Sequence, residues 1–230
     1  MPAHTAFHEV FVGSRPNMHM DYRTGTSDGI GAIDRLGTLT RLKREEALFL
    51  EGDVADCYFK VVSGVVRGCQ LLADGRRHIG DFFLPGDFIG LDAVESYAFS
   101  AEAVTDVSVI RYARRRVDLL AANDPQLTRS LVNIMREGLC AGRKQMTLLG
   151  HLTAIERIAS FLLTMSERTA ESEISLPMTR TDIGDYLGLT METVSRAFSQ
   201  LKADGVIKQD SVHKVVITDR DTLEELAEVA

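Results

Sequence analysis

Short apolar runs alternate with breaks that contain Gly and Asp between about residues 36 and 120. The runs CYFKVV (57–62) and VSVIRY (107–112) are rich in β-branched and aromatic residues, a composition typical of strands. Many short strands at this spacing favour a small antiparallel roll. We therefore predict an antiparallel β-roll of the jelly-roll type over residues 31–122. Residues 1–30 lack periodicity and are predicted to be a flexible extension.

The pattern changes at Pro125, a residue suited to the first turn of a helix. Beyond it, two adjacent apolar seams step by four and three residues, which predicts a long helix over residues 123–149. One seam can face the roll, and the other then requires a second copy of the chain, so we predict a homodimer. The alternative is a helix buried within the monomer. The residues predicted for dimerisation are Leu127, Leu131, Ile134, Val132, Met135, Leu139, Met146 and Leu149.

Residues 150–230 have the pattern of a winged helix-turn-helix domain. Thr179 and Asp182 have the spacing of a capping arrangement, Gly188 suits the turn, and Thr190 suits the cap of a second helix. Residues 204–219 alternate enough to predict a short two-stranded wing. The expected fold class is α+β: an antiparallel roll, a long dimerisation helix and a winged helix-turn-helix.

The second helix of such a motif lies in the DNA major groove. Arg196 can donate twice to guanine, Glu192 can accept from cytosine, and Ser195 permits close approach. The alternative is an ordinary surface ion pair between Glu192 and Arg196. The predicted base-reading residues are Glu192, Ser195, Arg196 and Met191. The predicted phosphate contacts are Arg180, Thr190, Thr193 and Ser199.

Charge and cysteine content restrict the partners and the compartment. The formal net charge is −7, so DNA contact must come from a local patch, and the tail DRDTLEELAEVA supplies much of the acidic excess. No run of 18 apolar residues and no secretory signal occurs, so we expect no membrane association and a cytoplasmic location. Three scattered cysteines fit a reducing compartment. Cys57, Cys69 and Cys140 are interpreted as buried small hydrophobes, with a redox switch as the alternative, in which Cys57 and Cys69 could face each other.

Four segments resemble the CRP/FNR superfamily of bacterial transcription regulators, and the resemblance spans about residues 36–220. They are EGDVADCYFKVVSGVVR, PGDFIGL, LTAIERIASFLL and TRTDIGDYLGLTMETVSRAFSQLKADGVI. The resemblance implies a roll like a cyclic-nucleotide-binding domain and a homodimer that binds double-stranded DNA and recruits RNA polymerase, mostly as an activator. The Glu-x-x-Ser-Arg pattern at Glu192, Ser195 and Arg196 resembles the FNR/FixK branch, whose members read a TTG…CAA palindrome.

Two departures from the superfamily concern cofactors. Phe99 precedes Ser100 where cyclic-AMP-binding members carry an Arg, so a bound phosphate would lack its bidentate partner. An iron–sulfur cluster needs about four thiolates, and the N-terminal region contains no Cys. His78, placed in a predicted hairpin turn, is weak support for haem on its own. We therefore expect no cofactor, as in FixK-type regulators of microaerobic, nitrogen-fixation or denitrification genes.

The sequence offers two alternative functions. A ligand-gated regulator for haem, NO or another small molecule could use an apolar pocket lined by Phe82, Phe83, Phe88, Leu91 and Tyr97. A cupin-like enzyme would need a His-x-His pair in the roll, and the sequence has none there. We therefore predict that the protein is not an enzyme.

Overall fold

The computed structural model describes residue 33 and residues 36–169 and 173–227. The extension predicted over residues 1–30 lies outside the described residues. Eight strands form the N-terminal part of the described chain: β1 Thr38–Leu42, β2 Ala47–Phe49, β3 Cys57–Ser63, β4 Val66–Leu71, β5 Arg77–Phe83, β6 Phe88–Ile89, β7 Ser100–Ala103 and β8 Val107–Ala113.

The predicted antiparallel roll is confirmed. Its strands form two four-stranded sheets, in the orders β1-β8-β3-β6 and β2-β7-β4-β5, and every pairing is antiparallel. Phe49, Phe59, Ile89 and Val109 belong to one buried cluster between strands of both sheets. The inner faces of both sheets are therefore buried, and the outer faces are buried in part: Tyr58 and Tyr112 pack in a cluster with Leu127, and Ile79 and Phe82 pack against the winged domain.

The turn between β3 and β4 depends on Gly64. Its φ is +82°, and a Cβ there would lie 2.4 Å from the carbonyl oxygen of Asp106. Both the left-handed backbone and the close approach require glycine. This turn lets β3 and β4 enter different sheets.

Two helices follow the roll. Helix α1 (Arg114–Ala121) begins directly after β8 and was not predicted, and α2 spans Pro125–His151. The carboxylate of Asp124 accepts hydrogen bonds from the backbone N–H groups of Gln126 (2.9 Å) and Leu127 (3.1 Å), which caps α2. At 27 residues, α2 is about 40 Å long.

The structure divides the predicted dimerisation residues into two groups. Leu127 is completely buried in a cluster with Tyr58, Tyr112 and Val117 of its own chain, so its assignment to a dimer contact was wrong. Leu131 and Ile134 are half-buried against the same cluster, and Leu149 packs against the winged domain. The remaining four are exposed and form what we call the apolar stripe: Val132, Met135, Leu139 and Met146.

The C-terminal domain has four helices and three strands within the described residues. They are α3 Ala154–Thr169, β9 Glu173–Ser175, α4 Arg180–Leu187, α5 Met191–Ala203, β10 Ile207–Ser211, β11 Lys214–Ile217 and α6 Arg220–Ala227. The wing has three strands in the order β10-β11-β9, not the two that were predicted. Helix α6 lies in the acidic tail and packs against α3.

The winged domain packs directly on the roll. Phe82 and Ile79 of β5 share a buried cluster with Phe161 of α3 and Leu187 of α4. The ring of Phe82 lies 5.3 Å from the ring of Tyr186. Shared apolar burial of this kind holds the two domains together without fixing their relative angle, because it is non-directional. None of the helices in the described residues is long and apolar enough to cross a membrane.

Candidate nucleic-acid interface

The first helix of the helix-turn-helix, α4, begins with a complete capping box. The Thr179 hydroxyl accepts a hydrogen bond from the Asp182 N–H (3.0 Å), and the Asp182 carboxylate accepts one from the Thr179 N–H (3.0 Å). Two otherwise unpaired donors are thereby satisfied. The helix ends at Gly188, whose φ of +64° is left-handed, as the predicted turn requires.

The turn also depends on Gly184, a residue for which the sequence pattern gives no signal. A Cβ at Gly184 would lie 2.6 Å from the carbonyl oxygen of Leu189. The close approach lets the chain return against α4 and start α5. Ile183, Val194 and Phe198 are buried between the helices. These buried side chains hold α4 and α5 together, and the close backbone approach at Gly184 restricts how the two helices can meet.

Helix α5 presents the predicted reading residues to solvent. Thr190 caps the helix by accepting a hydrogen bond from the Thr193 N–H at 3.2 Å, and Thr193 is half-buried. The helix packs mainly against α3, α4 and β10, so its outer face is free. The exposed residues on that face are Met191, Glu192, Ser195, Arg196 and Ser199.

Glu192 and Arg196 do not pair with each other. The Arg196 guanidinium donates to the Thr193 hydroxyl at 3.3 Å, and among the ion pairs of the described residues none joins it to Glu192. The backbone N–H of Glu192, the Thr190 hydroxyl and the charge of Arg196 lower the pKa of the Glu192 carboxyl. Glu192 therefore remains a charged acceptor at the N-terminal end of α5.

Arg180, which was predicted to contact a phosphate, is more buried than that role suggests. Its guanidinium lies over the Phe198 ring, 3.4 Å from the centroid, and burial lowers its pKa to about 10. Its Nη1 is buried and has no hydrogen-bond partner among the described residues. The guanidinium thus covers the Phe198 ring of α5, and the Arg180 residue as a whole is half-exposed.

Aromatic rings pack against one another inside the roll. The rings of Phe49 and Tyr97 stack with centroids 3.6 Å apart, and the Phe99 ring lies 5.7 Å from Phe49 and 6.0 Å from Phe83. A Cβ on Gly68 would lie 3.0 Å from Phe99. The Phe99 ring therefore packs into the roll.

The apolar pocket considered for a ligand-gated regulator does not form. Phe82 belongs to the cluster shared with the winged domain. Tyr97 belongs to the cluster inside the roll and Phe83 packs against it, while Phe88 and Leu91 pack against the cluster under α2. These side chains lie in three separate cores. Among the described residues, no group of three or more His, Cys, Asp or Glu side chains is arranged to hold a metal ion.

The cysteines occupy three different environments. Cys57 and Cys69 are buried in separate clusters, and burial raises the pKa of both thiols, that of Cys69 to about 11. The idea that these two face each other was wrong. Cys140 is exposed on α2, not buried as expected. His78 lies within β5 opposite Gln70, not in a hairpin turn.

Comparisons with known proteins agree with this architecture. Residues 156–226 match the Crp-like helix-turn-helix domain, and residues 39–124 match the cyclic nucleotide-binding domain. The nitrogen fixation regulation protein FixK of Azorhizobium caulinodans is 41% identical over 200 residues, which cover 84% of this chain and 81% of that protein.

Two further relatives are similar in sequence or structure. The transcriptional activatory protein AadR of Rhodopseudomonas palustris is 40% identical over 180 residues, covering 76% of this chain and 75% of that protein. The structure of FixK2 from Bradyrhizobium japonicum is 42% identical and superposes with a TM-score of 0.82, covering 84% of this chain and 98% of that one.

Proposed function

The chain belongs to the CRP/FNR family of helix-turn-helix transcription regulators, on its FixK-like branch, and on this premise we propose that it activates transcription as a homodimer bound to a TTG…CAA palindrome. In this proposal it recruits RNA polymerase to microaerobic, nitrogen-fixation or denitrification genes. The names of its relatives include nitrogen fixation regulation proteins and transcriptional activators.

The observation that carries the proposal is the open face of α5. Glu192 and Arg196 are exposed and unpaired with each other, so neither must break an ion pair to meet a base. We assign Arg196 to guanine, Glu192 to cytosine, and Ser195 and Met191 to the neighbouring base edges. Thr190, Thr193 and Ser199 lie beside them on α5 or at its cap and are assigned to phosphates.

The apolar stripe supports the homodimer. Its side chains are 37–73% exposed, and residues 135–144 of α2 are exposed without interruption. A contiguous apolar row on a long helix marks an interaction surface. Gly138 and Gly142 have no atom within 4 Å of a Cβ position, so a second α2 can approach closely.

The filled roll supports binding without an effector. We expect purified, reduced protein to bind a TTG…CAA duplex with no added ligand. Aromatic rings already occupy the roll, and position 99 carries Phe and not the Arg that would bind a phosphate. Fluorescence anisotropy with and without cyclic AMP measures this. A scrambled duplex is the control. Binding that begins only after a ligand is added would contradict it and would favour the ligand-gated alternative.

Arg180→Ala tests the phosphate assignment. We expect affinity for specific and scrambled duplexes to fall by a similar factor, because a phosphate contact carries no base information. The slope of log K against log salt should decrease by about 0.9 for each phosphate that is no longer neutralised. Arg180→Lys, which keeps the charge but removes the flat stack on Phe198, is the matched control. A loss of affinity confined to the specific duplex would assign Arg180 to base reading.

A further inference from the structure

Arg67 is a buried cation that joins the two domains. Its side chain on β4 is 6% exposed. It donates to Glu102 from Nε (3.0 Å) and Nη2 (2.8 Å), and to Glu45 from Nη2 (2.6 Å). These two acids belong to the roll. Its Nη1 reaches the carboxylate of Asp182 at the start of α4, at 3.3 Å.

Arg77 on the neighbouring strand β5 makes a second link. Its Nη2 donates to Asp182 Oδ1 at 2.6 Å, and its Nε donates to Asp185 Oδ2 at 2.8 Å. We call the whole group the interdomain charge cluster; it consists of Glu45, Arg67, Arg77, Glu102, Asp182 and Asp185.

Asp182 serves the cluster and the helix cap at the same time. Its Oδ2 accepts from the backbone and hydroxyl of Thr179 (3.0 and 2.8 Å), while its Oδ1 faces the two arginines. Burial acts to raise the pKa of Asp182, but the Thr179 hydrogen bonds and the charges of Arg67 and Arg77 hold it below its usual range. The carboxyl is therefore ionised, and the first turn of α4 is bonded to the roll.

The opposite end of α4 is attached to α2. The guanidinium of Arg157 donates to the carbonyl of Leu187 (2.9 Å) at the end of α4 and to that of Leu149 (3.0 Å) in α2. The Gln145 side chain donates to the carbonyl of Tyr186 at 2.9 Å. Helix α4 is thus held at two points. Two attachments fix its direction, whereas one would leave it free to pivot.

The cluster is better suited to orientation than to stability. Desolvation offsets much of the attraction in a buried ion pair, and the apolar contact of Phe82 with Tyr186 already joins the domains. The hydrogen bonds and ion pairs between the strands and the first turn of α4 can all form in only one relative orientation of the two domains. Apolar contacts are non-directional and tolerate several orientations. The docked arrangement also leaves the open face of α5 in solvent, so it is compatible with DNA binding.

We propose that Arg67 and Arg77 are positioning residues for DNA binding, which set the half-site spacing that the dimer selects. They hold the α4–α5 unit to the roll, and the roll is held to α2 through Leu127. A chain of rigid contacts therefore connects each recognition helix to the dimer axis. This inference rests on the proposed homodimer and palindrome.

Arg77→Gln tests the inference in the full-length dimer. Affinity is measured on a duplex with one half-site and on palindromes whose spacers differ by single base pairs. Each added base pair moves a half-site by about 3.4 Å and turns it by about 34°. The wild type should prefer one spacing sharply. In the variant, affinity at that spacing should fall about tenfold, because part of the avidity is lost. Its affinity for the single half-site should stay within about twofold of the wild-type value.

Three variants keep the test decisive. Arg76→Gln removes a neighbouring, exposed arginine whose partner Asp74 lies in the same hairpin, and it should keep the wild-type profile. Arg77→Lys should recover part of the spacing preference. Asp185→Asn, at a partly exposed position, should broaden the profile like Arg77→Gln. Removal of the buried Arg67 endangers folding, so it is not the primary test.

The outcomes separate the two proposals. A broadened spacing profile with half-site affinity retained supports the positioning role. An unchanged profile overturns it, and so does an equal fall in affinity on the half-site duplex, which would mean that the helix-turn-helix itself was damaged. If the wild type fails to bind any TTG…CAA duplex, the proposed function fails first.

Discussion

Arg196→Ala is expected to weaken binding to the palindrome by about 1–3 kcal/mol per half-site. Both protomers carry the change, so the dimer should lose about 2–6 kcal/mol, or roughly 30-fold to 10⁴-fold in affinity. The reason is geometric: the exposed guanidinium can donate two parallel hydrogen bonds to one guanine edge, and alanine can donate none. Selection at that base pair should relax, because no other exposed Arg or Lys in α5 lies in its first two turns.

Anisotropy titrations on the consensus, on duplexes substituted at the guanine, and on a scrambled duplex measure this effect. Lys202→Ala is the matched control, since it removes one exposed cation from the last turn of the same helix. We expect it to change specific and scrambled binding equally and slightly. If Arg196→Ala lowers the affinity for consensus and scrambled duplexes by the same factor, the base-reading role is refuted.

The helix-turn-helix was predictable because its signals are local. Thr179 and Asp182 are three residues apart, Thr190 and Thr193 likewise, and each pair forms the expected cap. The buried positions follow the helical period. The need for glycine at position 184 was not predicted. It arises from the close approach of Leu189 across the turn, and the spacing of apolar residues carries no information about such a contact.

The interdomain charge cluster could not be predicted from the sequence. Arg67 and Asp182 are 115 residues apart, and Arg77 and Asp182 are 105 apart. An arginine in a strand usually marks a solvated face, and the pattern of β4 is compatible with that interpretation. Only the docking of the winged domain turns this face into an interior.

Three short elements were missed for related reasons. Strand β9 has three residues, too few for alternation to register. Helix α1 begins with three consecutive arginines, which resemble a solvated charged run. In α6, Leu223 is completely buried, but its acidic neighbours concealed the apolar face of the helix.

The apolar seams of α2 were recognised, but their partners could not be assigned by spacing alone. Leu127 and Leu139 both lie in heptad steps, yet Leu127 is buried in its own chain and Leu139 is 58% exposed. A heptad pattern reports that a side is apolar and says nothing about which surface covers it. The structure covers one side with the roll and leaves the apolar stripe bare.

Leu139→Glu should therefore convert the protein to a monomer. The substitution places a charge at the centre of the apolar stripe, where two symmetry-related carboxylates would face each other in a desolvated interface. Its fold should be preserved, because the Leu139 side chain is 58% exposed in the single chain. Affinity for the palindrome should fall at least about 100-fold, since a single half-site lacks the avidity of the linked pair.

Asn133→Glu is the matched control for Leu139→Glu. It adds the same charge to an exposed position on the same helix, but about 120° away around the axis at 3.6 residues per turn. Light scattering after size exclusion measures the oligomeric state, and anisotropy measures DNA affinity. A Leu139→Glu protein that remains dimeric would place the dimer interface elsewhere. Monomers should still bind single half-sites weakly. A Leu139→Glu protein that is monomeric but keeps its half-site affinity would show that the apolar stripe contributes to DNA binding only by joining two recognition helices.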